Sequence, residues 1–184
     1  MKNRHQILVV GYSDQHCPES ARDLAYEIGR EVARQKSVLV SGGLGGVMEA
    51  SCKGAKEEGG LTVCIIPQEK RSYANDYCDI VVPTGIGFTR DFITANSADA
   101  VIIVGGGIGT MIEVSVAYFE AKPIVSLAGS GGIADRIAGT FLDDRKIVEI
   151  HSADSPKEAV RKALSLIEPK NRRQRKWSST FLSN

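Results

Sequence analysis

The chain contains seven short segments in which nearly every residue is apolar, without alternation of polar and apolar positions. Continuous apolarity indicates burial on both faces, which is typical of parallel strands covered by helices. The sequence therefore predicts seven strands. They run over Ile7–Val10, Val38–Val40, Leu61–Ile66, Ile80–Val82, Ala100–Val104, Pro123–Leu127 and Ile147–Ile150.

Helical patterns separate these strands. In the first of them apolar residues recur every three or four positions, which puts them on one face of a helix. Because strands and helices alternate with short joints, we predict an α/β protein with a single doubly wound, Rossmann-like parallel sheet and helices on both faces. This domain covers residues 1–168, and residues 169–184 form a basic C-terminal tail. The predicted helices cover residues 19–35, 46–58, 88–97, 109–121, 133–141 and 156–168.

Composition indicates an ordinary globular domain and argues against nucleic acid as a partner. Of the 184 residues, 42% are hydrophobic and 24% are charged, values that exclude a disordered, fibrous or coiled-coil chain. Five of the 23 basic residues lie between Lys170 and Lys176, and without them 18 basic residues face 22 acidic ones. A body with this negative balance is a poor surface for nucleic acid. The tail could contact an anionic partner, although a solvated basic run is the commoner case.

The cysteines and the start of the chain bear on location. Cys17, Cys52, Cys64 and Cys78 show no CxxC spacing, so no metal site is predicted. Cys64 lies within an apolar run and is expected to be a small core residue. Neither a signal peptide nor an apolar stretch of about 20 residues is visible. We therefore expect a cytoplasmic protein with reduced thiols and no membrane contact.

The 19 glycines cluster where a predicted strand is followed by a helix. In open parallel sheets, ligands bind at the carboxyl ends of the strands. Glycine there lets backbone N–H groups approach a phosphate, and the next helix presents its positive end. Tight turns that bind nothing are the alternative, but three such turns on one edge favour phosphate or nucleotide binding. The candidate binding residues are Gly11, Ser13, Gly42, Gly43, Gly45, Gly46, Gly106, Gly107, Gly109 and Thr110.

Neither of the common nucleotide fingerprints is present. The first strand is followed by Gly11-Tyr12-Ser13-Asp14 rather than by GxGxxG, and Ser41 stands at the end of the second strand, where an acid would be expected. A GxxxxGK(S/T) motif is also absent from the sequence. The sequence therefore disfavours a nicotinamide cofactor and a P-loop.

One continuous block, from Thr84 to Glu113, reads TGIGFTRDFITANSADAVIIVGGGIGTMIE. It resembles the superfamily of the cytokinin-activating "lonely guy" phosphoribohydrolases, long misnamed lysine decarboxylases, whose hallmark is an Arg-Lys pair, a strand and then PGGxGTxxE. The stretches LVSGGLGGVMEA and Ile65-Ile66-Pro67 are similar to the family's first glycine-rich turn and third strand end. The residues that match the hallmark are Arg90, Gly106, Gly107, Gly109, Thr110 and Glu113.

The same block departs from the hydrolases at three positions. Asp91 replaces the lysine after the arginine, Gly105 replaces the proline before the glycines, and Ile112 replaces the first of two acids. With these residues the block is more similar to the molybdenum-cofactor carrier branch of the superfamily, which binds a phosphate-bearing cofactor and is not known for sugar–base cleavage. The resemblance implies a nucleotide-binding fold and a homodimer with the helix of Arg90 near the twofold axis.

Two functions follow from these residues. The first is a binding or carrier protein for a nucleotide-like, phosphate-bearing small molecule, with no required cofactor and with a nucleotide or pterin phosphate as the bound group. The alternative is a nucleoside 5′-monophosphate phosphoribohydrolase. There Glu113 would stabilise an oxocarbenium-like state or activate water, and Arg90 would hold a phosphate or polarise the leaving base. A lysine decarboxylase is disfavoured, because no lysine lies where it could link a cofactor.

Both candidate catalytic residues also have purely structural interpretations. Thr110 and Glu113 have the spacing of a capping box, in which the glutamate bonds to the N-terminus of its own helix. Arg90 and Asp91 could form a surface ion pair. The sequence leaves these alternatives open, and it does not identify the base, the sugar, the pathway or the oligomeric state.

Overall fold

The computed structural model describes residues 4–167, and its centre is one seven-stranded sheet. The strands lie in the order β4-β3-β2-β1-β5-β6-β7, and every neighbouring pair is parallel. The prediction of a doubly wound, Rossmann-like α/β fold is confirmed. The strands are β1 (Gln6–Gly11), β2 (Val38–Ser41), β3 (Leu61–Ile66), β4 (Ile80–Pro83), β5 (Ala100–Val104), β6 (Ile124–Leu127) and β7 (Ile150–Ala153).

Helices cover both faces of this sheet. In the described part of the chain α1, α2 and α6 pack on one face, and α3, α4 and α5 pack on the other. The helices are α1 (Glu19–Arg34), α2 (Val47–Glu57), α3 (Arg90–Ser97), α4 (Ile108–Phe119), α5 (Gly132–Ile137) and α6 (Pro156–Ser165).

Burial on two faces explains the continuous apolar runs. In β1, Ile7 and Val9 belong to the core under α1, α2 and α6, whereas Leu8 and Val10 belong to the core on the opposite face. Successive side chains of a strand point to opposite faces, so each inner strand needs apolar residues at every position. None of these helices is long and apolar enough to cross a membrane.

The prediction for the last strand is wrong. Ile147 and Val148 are partly buried residues of the loop before β7, and the strand begins at Ile150, which pairs with Ile124 of β6. β7 is an edge strand whose His151 is half-buried. An edge strand is only partly covered, so its sequence does not need to be apolar throughout, and the apolar run marked the loop instead. The predicted tail, residues 169–184, lies outside the described residues.

The expectation of reduced thiols is wrong for two of the four cysteines. Cys64 is fully buried, as predicted, but it forms a disulfide with Cys78, 14 positions away. Cys17 and Cys52 are free. Burial raises the pKa of the Cys52 thiol to about 12, so this thiol is neutral at physiological pH.

Candidate functional site

The strand order reverses between β1 and β5, and the predicted turns lie at this switch point. In sequence the chain passes from β1 outward to β4, then returns to β5 on the other side of β1. In open α/β sheets ligands bind in the crevice outside the carboxyl ends of the strands at such a point. Gly11 ends β1 and Gly105 follows β5, so these two glycines flank the crevice, and the turn after β2 lies next to them.

The turn after β5 has a backbone conformation that favours glycine. Gly105 and Gly106 have φ angles of 60° and 88°, in the left-handed region. The N–H of Gly105 donates to Ser130 Oγ at 2.9 Å. The carbonyl groups of Gly105 and Gly106 accept hydrogen bonds of 3.1 and 2.9 Å from the N–H groups of Ala134 and Ile133 in α5. These contacts hold the turn in place against Ser130 and the start of α5.

The first turn of α4 is exposed and has free space around its glycines. A Cβ at Gly107 or at Gly109 would meet no atom within 4 Å. The first N–H groups of a helix have no intrahelical acceptor, so a ligand at Gly107 would meet unused donors. Thr110 is buried, and its hydroxyl donates to the carbonyl of Gly11 at 3.0 Å. The hydroxyl proton of Thr110 is therefore used to join α4 to the end of β1.

The turn after β2 lies against Arg90. Gly43 and Gly46 have φ angles of 73° and 71°, and the N–H of Gly43 donates to Ser41 Oγ at 3.2 Å. A Cβ at Gly42 would lie 2.8 Å from both terminal nitrogens of the Arg90 guanidinium. The Met48 sulfur lies 2.7 Å from the same position, so a side chain at position 42 would displace the guanidinium or the Met48 side chain. Gly45 contacts Asp14 of the first loop in the same way.

Arg90, Asp91 and Glu113 form a buried cluster at this edge. Arg90 Nη1 lies 2.8 Å from Asp91 Oδ1 and 3.4 Å from Glu113 Oε1. The three residues are 7%, 4% and 8% exposed. Thr94 Oγ1 lies 3.5 Å from the same nitrogen. The structure thus brings the two candidate catalytic residues together, and it adds Asp91, which the sequence marked as a departure from the hydrolases and as a possible surface partner of Arg90.

This geometry excludes a capping box at Glu113 and places the ion pair between Arg90 and Asp91 in the interior. The N-cap of α4 is Gly107, with no side-chain hydrogen bond to the cap, and Glu113 contacts Arg90 of a different helix. Glu113 is therefore not part of a capping box. Arg90 and Asp91 do form an ion pair, but the pair is buried rather than at the surface.

Burial sets the protonation of the two carboxyl groups. It raises the pKa of Glu113 from 4.5 to about 8, an effect that Arg90 opposes and Asp91 reinforces. It also raises the pKa of Asp91, again against the attraction of Arg90. Because Asp91 lies closer to Arg90, we assign the charged pair to Arg90 and Asp91. Glu113 then carries a proton at neutral pH and accepts a hydrogen bond from Arg90.

Two buried polar side-chain atoms have no hydrogen-bond partner among the described residues, Arg90 Nε and Gln68 Oε1. Gln68 lies in the loop after β3, and Arg90 begins α3, so both belong to the same edge of the sheet. A buried donor without an acceptor costs about 1–3 kcal/mol. An acceptor from a bound ligand or from an ordered water molecule would satisfy Arg90 Nε.

Sequence reasoning missed Tyr12. Its ring lies over Gly105, where a Cβ would come within 2.0 Å of it, and its hydroxyl oxygen lies 2.6 Å from the position of a Cβ at Gly132. Ser13 is exposed next to it, beside Gly46. The only signal for Tyr12 was an aromatic residue directly after the first glycine of the edge.

The fold and this cluster define a Rossmann-like protein with glycine-rich turns and a buried arginine–carboxylate site at the switch point. The sequence profile of the SLOG cluster4 family matches residues 4–160. The chain therefore belongs to that family, within the superfamily of lonely-guy and molybdenum-cofactor carrier proteins.

Two curated relatives match part of the chain. An uncharacterized protein of Archaeoglobus fulgidus is 47% identical over 122 residues, which are 66% of this chain and 79% of the relative. The cytokinin riboside 5′-monophosphate phosphoribohydrolase of Mycobacterium tuberculosis is 33% identical over 112 residues, which are 56% of this chain and 60% of the relative.

Two solved structures have the same fold over nearly their whole length. The molybdenum cofactor binding protein of Rippkaea orientalis has a TM-score of 0.80 at 29% identity, covering 91% of this chain and 100% of that one. The Moco carrier protein of Chlamydomonas reinhardtii has a TM-score of 0.77 at 32% identity, covering 89% and 98%.

Proposed function

We propose that the protein binds a nucleotide-like, phosphate-bearing small molecule at the carboxyl edge of its sheet, as a binding or carrier protein. The observation that carries this proposal is the buried Arg90, whose Nε has no acceptor among the described residues. A planar guanidinium is suited to an anion such as phosphate. The similarity to a molybdenum cofactor binding protein and to a Moco carrier protein supports the same class of ligand.

The turns supply the remaining donors. A phosphate at Gly107 would meet the first N–H groups and the positive end of α4, which has 12 residues. Gly42 positions the Arg90 guanidinium at the neighbouring turn. The proposed ligand therefore lies across the switch point between β1 and β5. A cytoplasmic location stays a prediction from the sequence.

Hydrolysis of a nucleoside 5′-monophosphate is the second candidate. It is favoured by the contact between Arg90 and Glu113 and by the relative from M. tuberculosis. Glu113, protonated at neutral pH, could give its proton to the leaving base as the bond between C1′ and nitrogen breaks. Water would then add its oxygen to C1′ and return one proton to the Glu113 carboxylate. Asp91 argues against this reaction, because it replaces the lysine of the Arg-Lys pair that is the hallmark of the hydrolases.

A thermal-shift experiment followed by product analysis tests both candidates. A bound 5′-monophosphate at about 100 times its dissociation constant should add about 2.7 kcal/mol to the free energy of unfolding, a rise in Tm of roughly 5–10 °C. The matching nucleoside, which lacks the phosphate, should give much less. Adenine, guanine and pterin phosphates form the panel, and free base is then measured by chromatography after incubation.

The outcomes separate the candidates. A shift without release of base supports the carrier. Base release that disappears in Glu113→Gln, while the shift persists, would establish the hydrolase, because this change removes the acid and keeps the shape. If no member of the panel shifted the Tm, both candidates would be wrong.

Gly107→Asp should abolish most phosphate binding without unfolding the protein. Gly107 has a φ of −134° and open space around it, so a side chain fits. A carboxylate there would repel an anion and neutralise the positive end of α4 that attracts it. Gly107→Ala is the matched control and should bind nearly as well as the parent. The measurement is calorimetric titration with the phosphate that gives the largest shift; equal affinity of a folded Gly107→Asp variant would place the phosphate elsewhere.

We also propose that the protein forms a homodimer through the outer faces of α3 and α4. These faces carry large apolar side chains instead of charges. Three of these side chains are more than half exposed: Phe92 (54%), Ile108 (83%) and Phe119 (55%). Large exposed apolar patches mark protein interfaces. Both helices contribute to the Arg90–Glu113 cluster, so the interface would lie beside the site.

Light scattering coupled to size exclusion should give a mass of about twice 19.8 kDa. Phe92→Lys puts a charge into the proposed interface and should give a monomer, whereas Phe92→Leu keeps it apolar and should stay dimeric. A monomeric parent, or a Phe92→Lys variant that remains dimeric, contradicts the proposal.

A further inference from the structure

Three cysteines that are far apart in sequence meet in the structure. Cys52 lies in α2, Cys64 in β3, and Cys78 in the loop just before β4. Their three sulfur atoms lie within 4.8 Å of one another, and the sulfurs of Cys52 and Cys64 are 3.7 Å apart. The candidate ligand site uses none of these cysteines.

The surroundings of the three sulfurs favour a cation. Cys52 and Cys64 are fully buried, whereas Cys78 is half-buried and gives access from solvent. Two acidic side chains, Asp79 and Glu49, act on Cys52, and Asp79 is itself paired with Lys56. A soft metal ion prefers thiolate ligands, and the ion would offset the negative charge that three thiolates bring into a buried place.

We propose that Cys52, Cys64 and Cys78 bind one thiophilic divalent cation of the zinc type once the disulfide between Cys64 and Cys78 is reduced. Zinc accepts three protein ligands with an open fourth position. Asn75 Oδ1, 3.5 Å from the sulfur of Cys78, or a water molecule can fill that position. A divalent ion leaves a net charge of −1 with three thiolates, and a monovalent ion such as Cu⁺ leaves −2, so burial favours the divalent ion.

The disulfide and the metal exclude each other. A phosphine reductant supplies two electrons to the sulfur–sulfur bond and takes up the oxygen of water, while the two protons of that water convert the sulfurs into thiols. The incoming Zn²⁺ then displaces the thiol protons of all three cysteines. In the oxidised protein only Cys52 keeps a free thiol in this cluster, which is too few ligands to hold the ion.

The loop that carries Cys78 is also bonded to a turn of the candidate site. The N–H of Asn75 donates to the carbonyl of Gly43 at 2.9 Å, and the side-chain amide of Asn75 donates to the carbonyl of Leu44 at 3.0 Å. A metal ion at the three sulfurs would therefore stiffen the turn after β2 through these hydrogen bonds from Asn75. The metal site itself does not depend on the proposed function.

The test is a metal titration of the reduced, full-length protein without oxygen. The phosphine-reduced parent should bind one Zn²⁺ per chain, measured by equilibrium dialysis with elemental analysis. Cd²⁺ in place of Zn²⁺ should produce the ultraviolet charge-transfer band of a thiolate complex. Cys52→Ser and Cys78→Ser should each weaken Zn²⁺ binding at least tenfold, and circular dichroism establishes that each variant is folded.

Cys17→Ser is the matched control, because Cys17 is a free cysteine outside the cluster; it should bind as the parent does. The oxidised parent should not bind. The proposal is overturned if the reduced parent binds no stoichiometric Zn²⁺, if Cys17→Ser weakens binding as much as Cys52→Ser, or if the oxidised parent binds equally well. If both cluster variants were unfolded, protection of Cys52 and Cys78 from alkylation by Zn²⁺ in the parent would decide: protection supports the site, and unchanged alkylation overturns it.

Discussion

Arg90→Met should lower the free energy of unfolding by about 3–5 kcal/mol at pH 8, as breaking a buried ion pair does. The guanidinium lies 2.8 Å from Asp91 and 3.4 Å from Glu113, and all three residues are buried. Methionine fills a similar space but leaves the two carboxyl groups without a counter-charge. For a domain of this length the loss corresponds to roughly 10 °C in Tm.

The pH dependence identifies the cause. Without Arg90 the carboxyl groups can escape the penalty by binding protons, so the loss should be clearly smaller at pH 5 than at pH 8. Arg22→Met is the matched control, because Arg22 pairs with Asp14 at 2.7 Å at an exposed position, where an ion pair is worth at most about 1 kcal/mol. Chemical denaturation at both pH values measures the effect, and equal losses in the two variants would show that the buried pair contributes nothing special.

Glu113→Gln should become more stable relative to the parent as the pH rises. The pKa of Glu113 is about 8 in the folded protein, against 4.5 for an ordinary glutamate. Below pH 4.5 both folded and unfolded parent bind the proton, whereas between pH 4.5 and about 8 only the folded state keeps it. The parent therefore loses free energy of unfolding across this window. Glutamine carries no titrating proton, so the variant lacks this loss.

The expected difference is large. Each pH unit in the window is worth about 1.4 kcal/mol, so between pH 5 and pH 8 the variant should gain several kcal/mol over the parent. Denaturation curves of both proteins at three pH values measure the gain. A gap between the two proteins that stays constant from pH 5 to pH 8 would mean that Glu113 is ionised in the folded state and is the second anion of Arg90.

Most of the fold could be predicted from local patterns. Inner strands such as β1 and β5 are apolar at nearly every position because helices cover both faces. This requirement produces a continuous apolar run that can be recognised in the sequence. The last strand was misplaced because β7 lies at an edge, where Ile150 pairs with β6 but His151 is only half-buried. A partly covered strand does not impose a continuous pattern, so the apolar pair Ile147 and Val148 was the stronger signal.

Part of the candidate site could also be predicted from the sequence, and part could not. The glycine-rich turns were visible, since a chain reversal with left-handed φ angles at Gly105 and Gly106 favours glycine. The burial of the Arg90–Asp91 pair could not be predicted from the sequence. Two neighbouring charged residues have the same sequence pattern whether they lie at the surface or in the interior. Whether these residues bind a phosphate stays a prediction.

By itself the sequence determined the layered α/β class and the edge of the sheet at which the glycine-rich turns lie, because both depend on the burial and backbone needs of consecutive residues. The tertiary structure alone decided which side chains meet there. Glu113 contacts Arg90 across 23 positions, and Cys52, Cys64 and Cys78 come from a helix, a strand and a loop. Such contacts arise when the sheet sets the distance between elements remote in sequence, and the raised pKa of Glu113 follows from that burial. Neither the distances between these side chains nor the pKa of Glu113 can be predicted from a local pattern of residues.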